Sequence, residues 1–256
     1  MKRTTLLLLF CWLTAISAYA QSTPPSDSVR LYLDNMFANV DKSQVPTPYL
    51  EEYGARLAPL RLFNGILQDS NRTTATTWRL LYASVLSGNL NGPCNLPLPS
   101  DLNATVSTQV AASSAIPVLV QRLDYAVLRA DAITAGLMTG QNEQLFDVAG
   151  RSQSPYQVRT LFAAAPSRST VPTGNVSFVF AQALHVQSGG GSVSNISLDF
   201  GDGRGYLTAT WGQPLAASYS SAGTKRVKVR LTYNNNGILV GKGKGYNKPL
   251  PPSTNT

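Results

Sequence analysis

Apolar positions along this chain follow two rhythms. From Ser26 to about Gln144 the recurrence is helical: Val29, Leu33, Met36, Phe37 and Val40 fall mostly three and four apart, with Ser26 or Asp27 as the cap. Pro46 and Pro48 interrupt that run, and Pro48-Tyr49-Leu50-Glu51 predicts a short restart. Trp78, Leu81, Tyr82 and Val85 form the stripe of a second helix, capped by Asn71 or Thr73 and ended by Gly88 and Asn89. The prolines of Gly92–Pro99 predict an extended connector, because each removes a backbone donor. Ser100 or Asp101 then caps an Ala- and Ser-rich helix reaching about Ser114, and Ile116–Val120 reads as a short strand.

From about Ser154 the period changes to two. Val176, Phe178, Phe180, Leu184 and Val186 alternate with small or polar residues, as do Ile196, Leu198 and Phe200, and later Val227, Val229, Leu231 and Tyr233. Turn formers separate these runs: Ser188–Gly191, Gly201–Gly205, Ala222-Gly223 and Asn234–Gly237. Short alternating strands punctuated in this way predict an all-β sandwich. The following Gly241-Lys242-Gly243-Lys244-Gly245 and Pro249–Thr256 lack periodicity and read as a linker or frayed end. The predicted fold class is therefore multidomain α+β: a leader at 1–20, an α-rich region at 21–150, a sandwich at 151–243 and a flexible tail at 244–256.

Composition narrows the classes. Apolar residues make up 43% of the 256 and charged residues 13%, which excludes a wholly disordered chain. Lys2 and Arg3 precede an apolar run, Leu6–Leu13, that ends at Ala18-Tyr19-Ala20 before Gln21, the pattern of a secretory signal peptide. Bulky Phe10 before Cys11 disfavours a lipoprotein cleavage site. The chain is expected to be secreted or on the cell surface, without a transmembrane segment. Past the leader only Cys94 remains, so no internal disulfide is expected, and one histidine with two cysteines argues against zinc clusters.

The residues Ile196-Ser197-Leu198-Asp199-Phe200-Gly201-Asp202-Gly203, followed by Tyr219, Ala222-Gly223-Thr224 and the Val-rich run Lys225–Tyr233, resemble the PKD domain. In that family an alternating strand enters Asp-Phe-Gly-Asp-Gly, and a Tyr precedes a Gly-containing turn and the final strand. The resemblance covers about a third of the chain and implies an immunoglobulin-like β-sandwich. Leu198 stands where the family has Trp, and Ala217 where it has His two before the Tyr. More loosely, the leader, Leu57–Trp78 and the sandwich resemble the front of secreted bacterial surface proteins that carry such modules as spacers or adhesive units.

Candidate chemistry is sparse. Asp199 and Asp202 are weak calcium candidates, too few for a cage of six to eight oxygens, and turn capping is the stronger reading. Gly201-x-Gly203-x-Gly205 and Gly241-x-Gly243-x-Gly245 lack the residues of a phosphate-binding loop. His185, placed on a strand face with Ser177, Val179, Ala181 and Ala183, has no Gly-x-Ser-x-Gly elbow to serve. Adjacent Glu51 and Glu52 diverge on a helix and read as a solvated face. Trp211, beside a turn, is either a flat platform for a sugar ring or a plug in one end of the sandwich.

Positive charge is concentrated late in the chain. Residues 21–150 carry eight Lys/Arg against eleven Asp/Glu, whereas those from Arg151 on carry eleven against two. Arg226, Lys228 and Arg230 project from one strand face while Val227, Val229 and Leu231 face the core. Such a row meets an acidic polysaccharide or an anionic cell-surface polymer, or else is a solvated face that discourages aggregation. No nucleic-acid motif accompanies it, so nucleic acid is the less favoured partner. The expected function is a non-catalytic secreted or cell-surface module, a spacer, adhesion or glycan-binding unit without cofactor or resident metal. The alternative is an accessory region of a secreted polysaccharide- or protein-degrading enzyme.

Overall fold

The computed structural model describes residues 25–60, 72–90, 96–168, 170–171, 174–234 and 237–247, with the backbone alone for 25–27, 171 and 237–247. The expected leader, Asn71, Cys94 and residues 248–256 lie outside the described residues. The chain is mixed α+β and richer in strand than helix. Three α-helices come first among the described residues: α1 (Pro25–Met36), α2 (Ala75–Ser87) and α3 (Pro99–Ala112). The strands are β1 (Ile116–Leu128), β2 (Met138–Gln141), β3 (Gln144–Asp147), β4 (Tyr156–Pro166), β5 (Thr170–Val171), β6 (Asn175–Val179), β7 (His185–Gln187), β8 (Val193–Asp199), β9 (Tyr206–Ala209), β10 (Leu215–Ser218), β11 (Gly223–Tyr233) and β12 (Gly237–Asn247). No described helix is long and apolar enough to cross a membrane.

Strand β1 organises the rest. Along one edge it pairs antiparallel with β4, from Val118 opposite Pro166 to Leu128 opposite Tyr156. Beside it in parallel lie β6, at Ile116 and Pro117, and β7, at Val120 to Arg122. The first sheet has the order β10-β6-β1-β4, with β7 also on β1; the second has the order β5-β12-β11-β8-β9. A third pair, β2–β3, is a hairpin whose turn residues Asn142 and Glu143 have φ of 49° and 62°, as a two-residue turn of matching twist requires. This hairpin stands within the stretch read as helical.

The first sheet is buried on both faces. Leu119 and Leu123 share a core with Trp78, Tyr82 and Val85 of α2 and Leu102 and Val106 of α3. Val118 and Val120 belong to the opposite core, with Phe178 and Phe180 and with Ile196, Leu198, Val227, Val229 and Leu231 of the second sheet. The result is three layers, helices on sheet on sheet. A third core under α1 joins Phe37, Leu50 and Tyr53 to Ala126 and Tyr156. Because β1 and β4 pair across position 150, the helical front and the strand-rich remainder share one sheet.

Several local expectations are corrected. The strand read at Ile116–Val120 runs on to Leu128, because buried Gln121 donates its amide N–H to the Trp78 carbonyl and buried Arg122 donates to the Gly190 carbonyl. The first helix stops at Met36, and Phe37 and Val40 are buried in the turns after it. The restart expected at Pro48 is extended: Leu50 bridges to Ala126, and only Glu51–Tyr53 makes a 3₁₀ turn. The hydroxyl of Thr74, rather than of Thr73, caps α2, and Pro99 opens α3 after Leu98, a first-turn position where the missing N–H costs nothing. The largest correction is at the C-terminal side. Gly237–Asn247, whose Gly/Lys stretch had read as a tail, is β12 and pairs with β11 from Gly223 opposite Asn247 to Tyr233 opposite Gly237.

Candidate functional site

The turn after β8 is closed by its own side chains. Asp199 Oδ1 accepts from the Gly201 N–H at 2.8 Å and Oδ2 from Lys228 Nζ at 2.7 Å. Burial alone would raise the Asp199 carboxyl, but the Lys228 and Gly201 hydrogen bonds outweigh it and hold the group below its usual range. Asp202 accepts from Arg204 Nε at 2.9 Å and Nη2 at 2.5 Å, and this bond to Arg204 lowers its carboxyl as well. Gly201 has φ +69°, and a Cβ there would stand 3.0 Å from the Arg226 carbonyl oxygen, so the turn requires glycine. Tyr219 Oη donates to the Phe200 carbonyl at 3.0 Å. Both calcium candidates thus hold backbone and cations, and no group of three or more His, Cys, Asp or Glu is gathered for a metal among the described residues.

Trp211 and His185 come together at one end of the two packed sheets. The Trp211 ring meets Phe180 edge-on at 6.2 Å and lies 5.4 Å from the His185 ring, half-buried against the inter-sheet core. His185 Nε2 and Tyr233 Oη are hydrogen-bonded at 2.9 Å. Burial, with the Arg122 charge adding to it, pushes His185 down to about 4, and burial pushes Tyr233 up to about 12, so both are neutral at pH 7. The face predicted for His185 is corrected: the 3₁₀ turn Gln182–Leu184 breaks the alternation and turns His185 toward Trp211.

Sequence reading passed over Arg122, the largest charged side chain in this end. It is 1% exposed, donates to the Gly190 carbonyl at 2.5 Å, and lies over the Tyr233 ring at 4.8 Å. Its signal was an arginine between Gln121 and Asp124 in a strand whose other residues are apolar or aromatic. Glu52 is likewise no solvated carboxylate: it accepts from the Leu128 N–H at 2.9 Å, while Glu51 pairs with Arg56.

The exposed face of the second sheet carries the cationic row. Arg226 is exposed, while Lys228 and Arg230 are half-buried on the same side of β11. Lys228 reaches across to Asp199, and the Arg230 guanidinium lies 4.1 Å above the Tyr206 ring. Tyr206, which sequence reading did not single out, stands opposite Asp199 on β9 and faces the same way. A separate open groove of about 640 Å³, lined by Arg168, Arg204, Asn175, Ser177 and Ser218, lies over the β6–β10 edge of the first sheet.

A mixed α+β chain of helices on two packed sheets is the class that this geometry defines. No protein-family model matches the chain, and no curated protein matches it in sequence.

Proposed function

We propose that this chain is a non-catalytic exported module whose C-terminal strands form a PKD-like, immunoglobulin-like sandwich, serving as a spacer, adhesion or glycan-binding unit. The observation that carries the reading is the Asp199–Gly205 turn. Its carboxylates, those of the two acidic residues past Arg151, accept from Gly201, Lys228 and Arg204, which supports an architectural role over turnover. The same turn supplies the resemblance to the PKD domain, with Tyr219 tying the later segment back to Phe200. The half-buried His185, pushed down to about 4 and already bonded to Tyr233, supports the same view, since a general base works best with a pKa near the working pH and must reach a substrate proton. Export rests on the Lys2-Arg3, apolar-run and Ala18-Tyr19-Ala20 pattern.

The test is to incubate the exported chain with insoluble polysaccharides and with casein, measuring retention and product release in the same tubes. Retention on a polysaccharide without release of sugar or peptide is the expected result. Steady release abolished by His185→Ala would overturn the non-catalytic reading.

A further inference from the structure

The chain that had read as a frayed tail completes a cationic surface. Register places Lys244 opposite Arg226 and Lys242 opposite Lys228 on adjacent antiparallel strands. Directly opposed residues share a sheet face, so β11 and β12 together set out five cationic positions: Arg226, Lys228, Arg230, Lys242 and Lys244. Positions two apart along a strand are ~6.8 Å apart and adjacent strands ~4.8 Å, so the positions form a flat grid. Among the described residues, Asp199 is the carboxylate on that face.

Folding alone does not favour this arrangement. Like charges directly opposite one another destabilise a strand pair, and here two successive opposed pairs are both positive. Edge protection accounts for cations on β12, which β5 meets at Tyr246 and Asn247, but not for the row on β11, a central strand between β12 and β8. An external polyanion that relieves the repulsion does explain it.

We infer that this face binds a linear acidic polysaccharide, laid across β12 and β11 with its anionic groups over Arg226, Lys242 and Lys244. The inference rests on the glycan-binding part of the proposed function and deepens it by naming the charge class of the ligand and the strand pair that holds it. A pyranose residue is about as long as the ~4.8 Å step between strands, so two successive acidic sugars can meet Lys244 and Arg226, with Lys242 ~6.8 Å along β12 beside them. A single-stranded nucleic acid fits less well. Successive bases need successive exposed rings to stack on. The described ring on this face, Tyr206, is covered by Arg230, and Tyr246 at the grid's end is the further aromatic position.

The experiment titrates the full chain with polygalacturonate, heparin, a neutral cellulose oligosaccharide and single-stranded DNA at matched ionic strength. The wild type is compared with Arg226→Glu, Lys242→Glu and the charge-conserving Arg226→Lys. Expected are binding of polygalacturonate or heparin that weakens with salt, at least tenfold weaker binding by each Glu variant, and recovery with Arg226→Lys. The two acidic polymers distinguish a carboxylate from a sulfate ligand. Lys242→Glu also sets an acid opposite Lys228, so its melting temperature should hold while binding falls, which separates lost recognition from lost folding. Equal binding by the wild type and the Glu variants overturns the inference, as does tighter binding of single-stranded DNA than of either acidic polysaccharide. Binding of the neutral oligosaccharide alone overturns it while leaving the glycan-binding module intact.

Discussion

Replacing Asp199 with alanine removes two bonds at once, and the structure allows their cost to be apportioned. The Gly201 N–H donates to Oδ1 at 2.8 Å, and a bond to a charged acceptor is worth about 1.5–3 kcal/mol. The Lys228 pair at 2.7 Å is more exposed, with the Lys228 side chain 34% accessible, so solvent screening limits it to ~0.5 kcal/mol. Together Asp199→Ala is expected to cost about 2–3.5 kcal/mol, or roughly 4–14 °C in melting temperature for a chain of this size. Asp199 is a carboxyl held below its ordinary range, because its bonds to Lys228 and Gly201 outweigh burial. Its contribution is therefore fully present above the unfolded value of ~3.9 and is lost as pH falls through the lower folded value. Urea and thermal melts of wild type and variant at pH 7, 5 and 3 should show a constant gap at the first two and a narrower one at the third. A loss of less than about 1 °C at pH 7, or a gap that widens in acid, refutes the reasoning.

Two further outcomes follow from the same geometry. Gly201→Ala is expected to lose about 1–2 kcal/mol from the left-handed backbone alone, with a further loss from the close approach to the Arg226 carbonyl. Gly203→Ala, at φ +92° with open space around its Cβ, should lose less in the same denaturation assay. His185 is the single histidine, and its folded value of about 4 lies below the unfolded ~6.5. The unfolded chain therefore takes up a proton that the folded chain refuses, and stability should fall as pH drops from ~6.5 toward about 4. His185→Gln should flatten that slope in urea melts, and an unchanged slope contradicts the buried neutral imidazole.

Strand β11 was legible in the sequence because one face is buried and the other is wet. Val227, Val229, Leu231 and Tyr233 are all buried, and the residues between them are not. The stripe Trp78, Leu81, Tyr82 and Val85 was legible for the same reason on a helix, since each lies in the core that α2 shares with the first sheet. The Asp199–Gly205 turn could also be read locally, because its carboxylates bond within a few residues or to the neighbouring strand. Each of these features carries its reason in its own segment.

What the tertiary structure decided depends on partners distant in sequence. β12 offers Gly243 and Gly241 opposite the buried Val227 and Val229, so the hydrophobic signal that marks a strand is absent where a core side chain would stand. β1 buries Gln121 and Arg122 with help from Trp78 and Gly190, 43 and 68 residues away, whose carbonyls each accept one bond from them. The 3₁₀ turn at Gln182–Leu184 turns His185 onto Trp211 and Tyr233, a neighbourhood that an alternating pattern assigns to the other face. The sequence alone determined the helical stripe of α2, the alternation of β8 and β11, and where positive charge accumulates. Pairing across the chain decided that the last glycines and lysines form a strand, because backbone hydrogen bonding, unlike hydrophobic burial, leaves no pattern in residue type.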